Sequence, residues 1–96
     1  MTATAWKSAT YGVRVGASNA AKFFKREWKS IQVEIDGEFH EFRLPDTFWT
    51  TCPEFRGNVV KKWLLRHGLA PWPYKKPPRL EVVPLGGNRF RLSKPA

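Results

Sequence analysis

Cysteine, histidine and methionine are scarce in this 96-residue chain: there is one Cys, two His and one Met. The first two scarcities each exclude something. The lone Cys52 has no internal disulfide partner, and small secreted domains usually carry several bridges, so the expectation is a reducing compartment, the cytoplasm. A metal centre needs several His, Cys or carboxylate ligands at a recognisable spacing, and none is present, so neither metal nor cofactor is implied. Cys52 beside Pro53 lacks an identifiable base and reads as a structural thiol. No apolar run approaches the ~20 residues of a membrane span, and residues 1–10 hold none long enough for a signal peptide, so no membrane partner is expected. Gly86-Gly87 is followed by a strand pattern and not by a helix, which makes it hairpin chemistry and not a phosphate loop.

Acidic residues are scarce in one half only. Residues 1–57 hold eight basic and seven acidic side chains, whereas residues 58–96 hold nine basic ones against Glu81 alone. The net charge of +9 and pI of about 10.2 favour a phosphate-rich partner. A length of 96 residues makes one domain, 1–96, and 15% aromatic content supplies a core.

Tyr11–Val15 alternates and reads as a first strand. A helix follows, capped by Ser18 or Asn19, with Ala20, Phe23, Phe24 and Trp28 on its inner face and Lys22, Lys25, Arg26 and Lys29 recurring on its outer one. Residues 31–44 form two alternating runs joined by Asp36-Gly37, the pair suited to a type I′ turn. That turn pairs Ile35 with Glu38, Val33 with His40 and Ile31 with Phe42, and turns Ile31, Val33, Ile35, Phe42 and Leu44 to the core. Residues 31–57 carry six acids against Arg43 and Arg56, which makes this segment a poor polyanion surface. Asp46 caps a short turn, and Pro53 opens another that ends at Gly57.

Asn58 starts a second helix with Val60, Trp63, Leu64 and His67 inward and Lys61, Lys62 and Arg66 outward; Gly68 then Leu69 is the sequence of a Schellman end. PWPYKKPPR (71–79) is a stiff, extended connection unable to join a sheet interior. Leu80–Val83 and Arg89–Leu92 form a closing hairpin around 86–88, with Phe90 and Leu92 inward and Arg89 and Arg91 outward. Residues 1–9 and 93–96 read as frayed ends. The expected fold is α+β: a curved, mainly antiparallel sheet of about five strands, possible as an open barrel, with two short helices.

Four basic groups then make the candidate nucleic-acid surface: Lys22, Lys25, Arg26 and Lys29; Lys61, Lys62 and Arg66; Lys75, Lys76 and Arg79 with the interleaved aromatics Trp72 and Tyr74; and Arg89 with Arg91. Each neutralised phosphate releases counterions, and arginine forks suit guanine or phosphate. The reading is non-catalytic nucleic-acid binding by a monomer or weak homo-oligomer. Two other classes stay open. One is a module docking on an acidic protein partner through exposed aromatics; the other is a metal-independent ribonuclease using His40 with Glu38 or Glu41 and a nearby lysine.

The strand leading into FFKREW within Val13–Trp28, the VEIDG turn with its following strand, and the closing LEVVPLGGNRFRL set out an order of elements. That order resembles the DNA-binding pseudobarrels of plant B3 domains and of the effector domains of some restriction endonucleases, over roughly three quarters of the chain. The resemblance implies an open barrel gripping the DNA major groove with two arms rich in basic and polar side chains, here near Arg14–Lys29 and Lys61–Arg79, and it alone puts double-stranded DNA ahead of RNA. The chain departs from that pattern in its five legible strands against seven, and in the inserted PWPYKKPP.

Overall fold

Alternation and the Asp36-Gly37 turn build the first hairpin as the residues dictate. In the computed structural model, which describes residues 1–95, β-strands at Ser30–Ile35 and Glu38–Arg43 pair with Ile35 opposite Glu38, Val33 opposite His40 and Ile31 opposite Phe42. Asp36 and Gly37 take φ of 51° and 86°, the left-handed values of a type I′ turn. Ile31, Val33, Ile35, Phe42 and Leu44 are all buried.

Numbered in chain order, the strands are β1 (Thr2–Lys7), β2 (Tyr11–Arg14), β3 and β4 (the hairpin just described), β5 (Glu54–Arg56), β6 (Arg79–Gly86) and β7 (Arg89–Ser93). The helices are α1 (Ala17–Phe23) and α2 (Asn58–Arg66), with a 3-10 turn at Asp46–Trp49. Among the described residues the sheet has seven strands, in the order β4-β3-β7-β6-β1-β2-β5; β3 and β7 are parallel and the other pairs antiparallel. Its two end strands approach each other without forming a ladder, which leaves a nearly closed barrel with one open seam, consistent with a pseudobarrel fold.

The two strands beyond the expected five are β1 and β5. Residues 1–9 are not a frayed end: β1 sits between β6 and β2, with Ala3 and Ala5 buried and Lys7 opposite Tyr11. Residues 53–57 are not a turn: Phe55 pairs with Val13 and is buried. At the other end of the chain, Ser93 closes β7 and Lys94 and Pro95 lie outside it; Ala96 falls outside the described residues. The last hairpin turns on Gly87-Asn88, with Gly86 already paired to Arg89 and an irregularity between Pro84 and Gly86, where a proline is tolerated in a strand.

α1 leaves the end of β2, and α2 leaves the end of β5. Because β2 and β5 are antiparallel, the two helices occupy opposite ends of the barrel. α1 is shorter than its aromatic spacing suggests. It stops at Phe24, which turns extended (φ −118°, ψ 147°) and stacks its ring on Phe90 at 4.7 Å and against Phe48 at 5.1 Å, leaving Phe23 exposed. Core packing overrides periodicity here, so Lys25, Arg26 and Lys29 lie beyond the helix and share no helical stripe with Lys22. Nor do Ser18 and Asn19 cap it: Gly16 holds that position, and the Asn19 amide donates to the carbonyls of Thr2 and Val15, both at 2.9 Å. α2 follows its sequence closely. Val60, Trp63 and Leu64 are buried, Gly68 takes φ of 68°, and the amides of Leu69 and Gly68 donate to Leu64 and Leu65, the two bonds of a Schellman end. No helix among the described residues is long and apolar enough to cross a membrane.

Candidate nucleic-acid interface at the open seam

Where β4 and β5 fail to pair, a groove of about 910 Å³ opens along the barrel. Its inner side is sealed by Phe42 of β4 against Phe55 of β5, ring centroids 4.9 Å apart. Its walls carry three cations, Lys29, Arg43 and Arg56, and three carboxylates, Glu41, Asp46 and Glu54. A mixed lining of this kind offers donors and acceptors together.

One wall is organised by a buried acid. Register places Arg14 of β2 opposite Glu54 of β5, and Gly12 between Trp6 on one side and Arg56 on the other. Gly12 is required for this packing: a Cβ there would lie 2.8 Å from both Arg56 Cβ and the Phe55 carbonyl oxygen. The Arg14 guanidinium lies over the Trp6 ring, 3.9 Å from its centroid. Arg56 donates from Nη1 to Ser8 Oγ at 3.1 Å. Glu54, only 4% exposed, faces both arginines through one oxygen, Oε1, at 3.9 Å from Arg14 Nη2 and 3.7 Å from Arg56 Nη2. Those are ion-pair separations beyond hydrogen-bond reach, and Glu54 Oε2 and Arg14 Nε are buried with no partner.

No family model, curated protein or solved structure matches this chain. Geometry and chemistry therefore carry the functional reading.

The residues singled out from the sequence do not form one surface. Lys22, Lys25, Arg26 and Lys29 cluster at the α1 end, all exposed, with Arg26 over the Trp49 ring at 5.2 Å; of these, Lys29 reaches the groove. Lys61, Lys62 and Arg66 project from α2 at the opposite end. Lys75 and Lys76 are exposed on the connection that follows α2, whereas Arg79, also exposed, already belongs to β6 and pairs with Thr4, so the connection expected over 71–79 ends one residue earlier. Trp72 is half-buried edge-on to Tyr11 at 5.6 Å, so much of its stacking surface is taken, while Tyr74 is 85% exposed with Lys75 beside it. Arg89 and Arg91 point outward elsewhere around the barrel, Arg89 over Phe39 at 5.4 Å and Arg91 bonded to Glu34 at 2.7 Å. The groove arginines Arg43 and Arg56 are hidden in the sequence by the acids around them. Their grouping depends on β5 and on long-range pairing, neither of which leaves a local signal.

Neither histidine lines the groove. His40 Nε2 is 3.9 Å from Glu38, whereas Glu41 alternates to the other face of β4 and lines the groove. Among the described residues no three His, Cys, Asp or Glu side chains gather as a metal site.

Arg66 and His67 both bind Asp36 at the β3–β4 turn, His67 Nε2 lying 3.1 Å from Oδ1, which ties α2 to that hairpin. The His67 hydrogen bond, reinforced by Arg66, holds the Asp36 carboxyl below its usual range. A depressed folded value means that the latch is complete above the unfolded Asp value of about 3.9 and is lost as pH falls through the lower folded one. Asp36→Asn is therefore expected to lower the melting temperature near neutrality, with the gap from wild type closing below about pH 4. A gap that stays constant down to about pH 2 would contradict the latch.

Proposed function

We propose that this domain binds nucleic acid without catalysing a reaction on it, duplex DNA ahead of RNA, and that the ligand lies along the open seam. The observation that carries the reading is the groove itself: arginines on both walls, a mixed polar lining, and a cationic cluster at each end of the barrel. Backbone contacts position a nucleic acid and base contacts specify it. Cations at the two ends suit the first task, and the donors and acceptors of the groove suit the second. The longest dimension of the molecule, 35 Å, matches roughly ten base pairs at about 3.4 Å each. The resemblance to B3 pseudobarrels supports the same reading, since those domains grip DNA with an open barrel, and the seven strands and two helices remove the departure in strand number.

The test is fluorescence anisotropy of labelled duplex DNA, single-stranded DNA and RNA hairpins across a salt series. Duplex DNA is expected to bind with a log-linear salt dependence. Arg43→Ala/Arg56→Ala is expected to weaken binding and to shallow the slope by about one for each phosphate no longer neutralised. If that variant binds as wild type does while Lys75→Ala/Lys76→Ala abolishes binding, the contact lies at the proline turn and not at the seam. Tyr74, exposed at the tip of that turn between Pro73 and Lys75, favours a second reading, docking on an acidic protein surface. Affinity no tighter than the non-specific range of about 10⁻⁴ to 10⁻⁶ M would favour that second reading.

A further inference from the structure

Resting on the nucleic-acid reading, we propose that Arg14 and Arg56 are the base-reading residues of the seam, that the guanine edge is their target, and that Glu54 is the residue that positions them. A buried carboxylate is costly unless cations face it, and one that takes few hydrogen bonds from the protein depends on those cations. Glu54 is such a group: both arginines approach its Oε1 at ion-pair distance, none donates to it within hydrogen-bond reach, and Oε2 is unpartnered. It therefore restrains two guanidinium groups without consuming their donors. The restraint is completed on other sides, by Trp6 beneath Arg14 and by Ser8 and Gly12 about Arg56. Both arginine side chains remain partly exposed, at 38% and 44%, while the carboxylate between them is covered.

A guanidinium is donor-only, and its fork matches two acceptors side by side. Phosphate and the O6/N7 edge of guanine both present such pairs. The position in the fold decides between them. Lys22 and Lys25, flexible point charges suited to phosphate, lie at the α1 end of the barrel, whereas these two arginines are held about one carboxylate, Arg56 on the wall of the groove and Arg14 behind it on β2. A restrained fork discriminates bases, because it loses little freedom on binding the matching edge and leaves donors unpaired against the wrong one.

Selection from a randomised duplex pool, followed by competition with the selected site and its single-base substitutions, tests this. Wild type is expected to select guanine at one or two positions, and Arg56→Lys and Arg14→Lys each to lose about five- to 150-fold of that preference. Glu54→Gln is expected to lose the preference while keeping the salt slope and the affinity for unselected DNA, with its melting curve confirming the fold. A carboxylate serving the fold alone would instead weaken all sequences together or leave the preference intact, and either result overturns the proposal. Wild-type binding without base preference also overturns it while leaving the nucleic-acid reading standing. No binding of duplex DNA by wild type overturns both.

Discussion

Deleting residues 1–7 is expected to abolish cooperative folding. β1 lies between β6 and β2, pairing Thr2 with Glu81, Thr4 with both Arg79 and Arg14, and Lys7 with Tyr11. Its removal takes two ladders at once and leaves unpaired edges on both neighbours, with no spare strand among the described residues to cover them. Ala3 and Ala5 leave the core, and the Asn19 amide loses its bond to the Thr2 carbonyl that ties α1 to the sheet. Domains of this size have about 5–15 kcal/mol of net stability, less than the loss of a central strand. Circular dichroism and amide chemical-shift dispersion of the truncated chain should show no cooperative melt. A sharp transition within a few degrees of the full-length protein would mean that β1 is peripheral.

The second large effect is at Phe90. It is 1% exposed and stacks on Phe24 at 4.7 Å, with Trp28 edge-on at 6.2 Å, so it joins β7 to the segment that leaves α1. Phe90→Ala removes that aromatic packing and opens a cavity, for an expected loss of about 3–5 kcal/mol, each worth roughly 4–8 °C in a domain this small. Phe23→Ala is the matched control. On a long amphipathic helix Phe23 and Phe24 would both be inward, but Phe23 is exposed, and its loss is expected to cost within about 0.5 kcal/mol. Equal destabilisation by Phe23→Ala and Phe24→Ala in thermal melts would restore the long helix and contradict the observed end of α1.

What can be read from the sequence depends on how local its cause is. The β3–β4 hairpin follows from Asp36-Gly37 and unbroken alternation, and α2 from its apolar stripe and Gly68, so both are legible to the residue. β1 is not, because TATAWK alternates threonine with alanine and its inward side chains are too small to register as a hydrophobic run. β5 is three residues long and begins with a buried glutamate, which breaks every strand rule except pairing. The expected first helix is too long because Phe24 and Trp28 sit four apart, as on a helix, yet Phe24 reaches the core from extended backbone and Trp28 packs against it after a turn. The candidate groove is the least legible part. Single-sequence charge counting points to the basic C-terminal half, but the groove is made by β4 and β5, whose approach is a long-range consequence of barrel closure. Cations judged by their neighbours in sequence are a different set from those that share a surface.

The central claim is that nucleic acid lies along the seam. The most direct test is amide chemical-shift mapping during titration with a duplex of about ten base pairs at moderate salt. The account predicts the largest perturbations at Trp6, Ser8, Arg14, Arg43, Glu54 and Arg56, with smaller ones at Lys25, Lys29 and Lys61. Perturbations confined to Tyr74, Lys75, Lys76 and Arg79, with the seam residues unmoved, would contradict it.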